Sequence, residues 1–167
     1  TVTPLGAPLD SPLVFSALPK EAAVDIEPAM AAAGHIVATN ASAYRQTPDV
    51  PLLLAEANSD HVGMINVQRK ARGWSTGALV ANSNCTVMPV VMALKPLLQY
   101  GVKKAHLVSQ QAISGAVYPG VASLDILDNI IPYVSGDEDK MPIEARKMLG
   151  RFDGQQFIDL DMKTRDR

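Results

Sequence analysis

The sequence predicts an α/β fold, a mostly parallel sheet with helices on its faces, and three observations predict it. Short apolar runs alternate with segments of helical period. Several runs pass through small or polar residues directly into such a segment, as strands joined by crossover helices do. Apolar residues make up 47% of the 167 residues and charged residues 19%, against roughly 25% charged in an average soluble domain. That composition can bury enough surface to offset chain entropy, so a disordered chain is excluded.

Leu13–Phe15 reads as a short buried strand ending at Ser16-Ala17-Leu18. Pro19 suits the first turn of a helix to about Ala33, with Ala22, Ala23, Ile26 and Met30 on its apolar face and Gly34 as its stop. Pro28 inside that run marks a kink point. His35–Thr39 is the next strand, Asn40–Pro51 a polar loop and Leu52–Glu56 a third strand. Ser59 caps a helix through Lys70, and Arg69, Lys70 and Arg72 suit the negative end of its dipole. Ala78–Ala81 is a fourth strand leading into Asn82-Ser83-Asn84-Cys85-Thr86. A helix follows from Val87 to Tyr100, with Pro89 tolerated in its first turn and Pro96 bending it. Lys103–Ala112 is a strand, Ser114–Gly120 a Gly/Pro loop and Leu124–Ile131 a short apolar segment. Asp137–Lys140 reads as a solvated charge cluster, Ile143–Leu149 as a helix, and Asp159–Arg167 as a tail alternating charge with apolar residues.

Fifteen Lys+Arg against seventeen Asp+Glu leave a formal charge of −2, so nothing electrostatic favours nucleic acid or an anionic membrane as a partner. Gly73–Leu94 and Ala105–Leu124 carry no Asp, Glu, Lys or Arg and are long enough for a bilayer, which needs ~20 apolar residues. Both are too polar: the first holds Asn82, Ser83, Asn84 and Pro89, the second Ser109, Gln110, Gln111, Ser114 and Pro119. Thr1–Ser11 has no signal-peptide pattern. A single cysteine excludes an internal disulfide and fits a reducing, cytoplasmic setting. With scattered His35, His61 and His106 it offers no zinc-ligand spacing. The three histidines read as packing or surface residues.

Ligands of open parallel sheets sit beyond the carboxyl ends of the strands. Ser16–Ala17, Asn40–Arg45, Asn84–Cys85 and Gln111–Gly115 fall there. Cys85 is the sharpest candidate. It lies between a buried strand and a helix whose free N–H groups and positive dipole end would favour a thiolate and hold an oxyanion on an attacked carbonyl. The alternative is a buried, inert cysteine. Arg45 shares its polar loop with one other charge, Asp49, and its fork of donors suits a phosphate dianion. Gln111 follows a strand and can donate and accept at once. Glu144 and Lys147, three apart, share a helix face as a site pair or as a surface ion pair. Gly115 and Gly120 allow close backbone approach or serve a turn.

Longer motifs carry a resemblance. NSNCTVMPVVMALKPL at 82–97 resembles the nucleophile segment of the aspartate-β-semialdehyde dehydrogenases, in which an N-x-N-C-S/T turn opens a helix ending A-L-K-P-L. SQQAISGAVYPGVASLDILDNIIPY at 109–133 is similar to that family's Q-A-x-S-G-A-G-Y-P-G-V-x-S-L-D-I-x-D-N segment, and TNASAYRQTPDVPLLLAEAN at 39–58 to its S-N-A-S-x-x-R-x-D-x-D-V-P-L-L-I-P-E-V-N segment. VFSALP at 14–19 matches its cofactor-facing strand end and IEARKMLG at 143–150 its E-x-x-K helix. The matches are collinear, run from about Thr3 to Gly150, and resemble the archaeal and fungal branch.

The resemblance implies the second half of a Rossmann-type domain leading into an α+β catalytic domain, truncated at both ends. Residues 1–84 would be the C-terminal part of the NADP-binding domain, and 85–167 the N-terminal part of the catalytic and dimerisation domain. It implies a homodimer or tetramer that interconverts aspartyl phosphate and aspartate semialdehyde with NADP(H), releasing or taking up phosphate, on the route to lysine, threonine and methionine. Cys85 would be the acyl-thioester nucleophile beside Asn84, with Gln111 orienting the substrate and Arg45 holding the phosphate. Glu144 would meet the substrate amino group and Lys147 would be a second phosphate contact. Ser16, Ala17, Ser114 and Gly115 would touch NADP. No metal is implied.

Departures from the pattern bear on the cofactor more than on the fold. No G-x-G occurs, so the phosphate fingerprint of a Rossmann site is absent; by the resemblance it would lie upstream of Thr1. The family's general-base histidine and substrate-binding arginine would lie beyond Arg167. The chain is therefore expected to be an internal segment, inactive alone. Ser83 replaces a proline, Ala55 and Ala57 replace the proline and valine of P-E-V-N, and Val117 replaces a glycine. Two other functions remain open: an acyl-thioester reductase of the malonyl-CoA reductase kind, and a non-catalytic α/β binding module.

Overall fold

The computed structural model describes residues 2–5, 7–115, 118–134, 136–161 and 163–166, the last four through their backbone alone. Three short strands, β1 (Leu13–Ser16), β2 (Ile36–Thr39) and β3 (Ala78–Ala81), form a parallel sheet in the order β1-β2-β3. Helix α1 (Lys20–Ala32) carries the chain from β1 to β2, and α2 (Ala55–Asn58) with α3 (Met64–Arg72) carries it from β2 to β3. The register aligns Leu13, Ile36 and Ala78 in the first row and Ser16, Thr39 and Ala81 in the last. All three strands therefore release their chains at one end, as parallel crossovers require. The expected α/β class holds.

Packing accounts for the sheet's position. A Cβ on Gly77 would lie 1.7 Å from the Ala31 carbonyl oxygen, so α1 can seat against the start of β3 only because that residue is glycine. The buried face of α1 is Ala23, Glu27 and Ala31, one step round from the expected face; Ala22, Ile26 and Met30 flank it, half-buried. Glu27 can be interior because its Oε1 accepts from Ser16 Oγ at 2.6 Å and Thr39 Oγ1 at 2.5 Å.

The expected strand at Leu52–Glu56 reduces to one parallel bridge between Leu52 and Ala81, and Ala55–Asn58 is helical. The reason is Asn58. Its side chain accepts from the Leu54 N–H at 2.8 Å and donates to the Leu52 carbonyl at 2.9 Å, taking backbone groups that a continuing strand would pair. The helix expected over Ser59–Lys70 starts as a 3₁₀ turn, Ser59–Gly63, and becomes α3 only at Met64. It ends at Gly73, φ 69°, with its basic residues in the last turn as expected.

Beyond β3, helix α4 (Val87–Leu94) gives way to a 3₁₀ turn over Lys95–Tyr100. Pro96 has no N–H for the α-helical ladder, so the winding changes there. Strand β4 covers only Lys104–Leu107, less than half the expected length, because its partner β7 (Lys163–Asp166) is four residues long. A short α5 (Ser123–Ile126) follows, then α6 (Asp137–Leu149) and a small hairpin of β5 (Arg151–Phe152) and β6 (Phe157–Ile158). The charge cluster at Asp137–Lys140 is the first turn of α6: Asp137, Glu138 and Asp139 sit where the helix dipole favours acid.

One core unites these pieces: Val37, Leu52 and Leu79 continue into Val87, Val91, Met148 and Leu149. Among the described residues no helix is long and apolar enough to cross a membrane.

Candidate active site

The turn between β3 and α4 is organised by Asn84. Its carbonyl accepts the N–H groups of Val87 and Met88 at 3.0 and 3.3 Å. Its Oδ1 accepts the Thr86 N–H at 3.1 Å and the Thr86 hydroxyl at 2.9 Å, and lies 3.5 Å from Cys85 Sγ as acceptor. Asn84 thereby satisfies the donors that open a helix. Cys85 is exposed, so the buried, inert alternative does not describe it. The expectation that the first N–H groups of α4 receive an oxyanion is corrected, since those of Thr86, Val87 and Met88 already face Asn84.

Helix α6 grips this turn from the side. Glu144 Oε2 accepts the Asn84 N–H at 2.8 Å, and Glu144 Oε1 lies 3.6 Å from Arg45 Nη1. Two turns earlier on the same face, Asp137 Oδ1 accepts from Asn84 Nδ2 at 3.3 Å and Asp137 Oδ2 from Gln111 Nε2 at 2.8 Å. Spacing explains the pairing, because residues seven apart return to the same face of a helix. Four candidates from separate parts of the chain, Arg45, Asn84, Gln111 and Glu144, are thus joined around Cys85.

Arg45 also donates to the Asn40 carbonyl at 2.8 Å, while its buried Nε has no partner among the described residues. Lys147 does not reach an open site. It is 7% exposed, and its ammonium donates to the carbonyls of Arg45, Thr47 and Val50, each at 2.9 Å. Burial pushes its pKa down to about 8 against the pull of Asp159, Asp49 and Glu144. The phosphate contact expected of Lys147 therefore has no free donor here; all three N–H bonds hold the Arg45 loop. Glu144 is 1% exposed with both oxygens engaged, so the expected contact with a substrate amino group is likewise not offered. Neither residue is a surface ion pair. The same loop is pinned at Asp49, whose carboxylate takes two bonds from Arg72 at 2.5 and 2.8 Å; that contact holds its pKa below the usual value.

Ser16 and Ala17 border a cavity of about 480 Å³ beyond the carboxyl ends of β1–β3, with Ala38, Asn40, Ala81 and Asn82. Gln111 and Gly115 border another, of about 570 Å³, with Ile126 and Tyr133, and Ser114 is exposed beside it in a 3₁₀ turn. The residues expected on one cofactor thus border separate cavities. Val117, which stands where the family pattern has a glycine, lies outside the described residues. Asp137 and Glu27 were not singled out in the sequence; the seven-residue offset between Asp137 and Glu144 was the signal available for the first.

Comparison with known proteins shows what this arrangement resembles. Residues 7–65 match the family described as semialdehyde dehydrogenase, NAD binding domain. The chain is 50% identical over 156 residues to an aspartate-semialdehyde dehydrogenase of Archaeoglobus fulgidus, covering 93% of this chain and 45% of that one. It is 46% identical over 143 residues to the enzyme of that name from Trichophyton rubrum, covering 84% of this chain and 40% of that one. The crystal structure of aspartate semialdehyde dehydrogenase with NADP from Candida albicans superposes with a TM-score of 0.80 at 36% identity, covering 93% of this chain and 45% of that one. The chain spans less than half the length of these relatives. Over nine tenths of its own length, the chain is similar to the aspartate-semialdehyde dehydrogenases.

Proposed function

We propose that this chain carries the nucleophile-bearing part of an NADP(H)-dependent aspartate-semialdehyde dehydrogenase, with residues 1–84 contributing to the cofactor-binding domain and 85–167 to the catalytic domain. The carrying observation is that exposed Cys85 sits in a turn to which α6 ties both Arg45 and Gln111.

Cys85 Sγ attacks the acyl carbon of aspartyl phosphate, the bond from that carbon to the phosphate oxygen breaks, and a thioester forms on the sulfur. Arg45 receives the departing phosphate, its guanidinium supplying the positive charge that suits a phosphate dianion. Lys147 and Glu144 keep the Arg45 loop and the Asn84 N–H in place. Gln111 orients the substrate. The cavity at Ser16 and Ala17, lined also by the small side chains of Ala38 and Ala81, supports a cofactor there; Ser16, Ala17, Ser114 and Gly115 would hold it. The chemistry that bound NADP(H) supplies is hydride donation and acceptance. The assembly we propose is a homodimer or tetramer, in a reducing compartment that keeps Cys85 free.

The test is a chimera in which these 167 residues replace the corresponding segment of the Archaeoglobus fulgidus relative. Aldehyde oxidation with NADP should require phosphate or arsenate, and Cys85→Ser should abolish it. The 167 residues alone should show none. A requirement for CoA instead of phosphate would move the chain to the malonyl-CoA reductase kind. A Cys85 that resists iodoacetamide at pH 7 would leave only a binding module.

A further inference from the structure

Gln111 belongs to a stretch with almost no burial of its own. Of the described residues from Val108 to Val134, only Ile126 is half-buried and the rest are exposed. A side chain on such a stretch has no packing to set its direction. Its amide is nonetheless held, through the 2.8 Å bond from Nε2 to Asp137 Oδ2.

Asp137 is well placed for that task. It is half-buried at the first turn of α6, and that helix is anchored in the core through Met141, Ala145, Met148 and Leu149. Its second oxygen holds Asn84 Nδ2, while Glu144 on the same helix face holds the Asn84 N–H. A carboxylate only accepts, so it selects the NH₂ end of each amide and turns the carbonyl end of Gln111 away from itself.

We propose that Asp137 is the positioning residue that fixes the Gln111 amide relative to the nucleophile turn, by holding the side-chain amides of Gln111 and Asn84 on its two oxygens. The proposal rests on the function assigned above, in which Gln111 faces the substrate. It makes Gln111 direct its carbonyl oxygen and its second N–H outward, with one amide orientation populated instead of two.

Side-chain amide NMR on the 167-residue chain tests this. In the unaltered chain the Gln111 NH₂ protons should exchange with solvent at least about threefold more slowly than those of exposed Gln110, a bonded donor being protected and a free one not. Asp137→Asn should abolish that difference and shift the Gln111 and Asn84 side-chain signals together. Asp139→Asn, which removes a charge two residues along the helix, should move neither. Asn84→Ala should shift the Gln111 amide signal in the chain with Asp137 and leave it unmoved in Asp137→Asn, a coupling that loss of bulk structure does not produce. Equal exchange at Gln110 and Gln111, or a Gln111 signal indifferent to Asp137→Asn in a folded variant, overturns the proposal. Alkylation of Cys85 is read separately: an inert sulfur sinks the enzymatic reading, whereas a reactive sulfur with a free Gln111 amide sinks only the role of Asp137.

Discussion

Val37 in β2 and Val108, one residue past β4, are the same side chain in similar apolar runs, yet Val37 is fully buried and Val108 is 85% exposed. Leu79 in β3 and Leu124 in α5 repeat the contrast, at 0% and 87%. The difference lies in what stands opposite. Around Val37 and Leu79 the helices α1, α3, α4 and α6 supply a second layer, with Ala31, Val87, Val91 and Met148 in the same core. From Val108 to Val134 the described chain supplies no such layer. Burial follows from the presence of a facing element, and an apolar run is only a request for one. The candidate site sits where the two regions meet, its nucleophile turn on the packed side and Gln111 on the other.

The sharpest way to break this comparison is to empty the core. Leu79→Ala should lower the unfolding free energy by about 2–5 kcal/mol, the usual cost of deleting a fully buried leucine; urea denaturation reads it. A loss near zero would mean the sheet is not the stable part.

The pH dependence should report Lys147 next. Its pKa is about 8 in the folded chain against 10.5 free, so between these values the unfolded chain holds more protons and stability rises with pH. The slope approaches ~1.4 kcal/mol per pH unit for one such group. Lys147→Met should flatten that window relative to the unaltered chain. The opposite side of the scale involves Asp49, whose pKa is lowered chiefly by its hydrogen bond with Arg72. Its contribution is present above the ordinary carboxylate value and is lost as pH falls through the lowered one. Asp49→Asn should cost ~1 kcal/mol at neutral pH and shrink the acid-side loss.

Leu124→Ala should change stability least, within about 0.5 kcal/mol, because the side chain has little packing to lose. A cost like that of Leu79→Ala would show that the exposed region is covered in solution.

The strands at Val14, Val37 and Leu79 were legible because apolar runs beside helix-period segments have few other solutions. So was the turn at Cys85, placed between a strand and a helix. Glu27 and Lys147 were not legible as interior residues. A lone sequence gives a charged side chain every reason to face water, and only the hydroxyls of Ser16 and Thr39, or three carbonyls from residues 45–50, remove that reason. Leu52–Glu56 misled because the Asn58 amide competes for its backbone from outside the run. Asp137–Lys140 misled because acidic residues at a helix start look like any solvated cluster until the helix is seen to follow.

The order of residues by itself determined the parallel α/β layer, the exit of Ser16, Thr39 and Ala81 at one edge, and the turn that places Cys85 before α4. These depend on periodicity and on short-range turn chemistry, which neighbours in sequence carry. Tertiary structure alone decided that Asp137 and Glu144 both hold Asn84, that Lys147 is spent on the loop of Arg45, and that Gln111 has a tether. Those contacts join residues 26 to 102 positions apart, and a hydrogen bond across such a gap is set by where a helix docks, which no local pattern encodes.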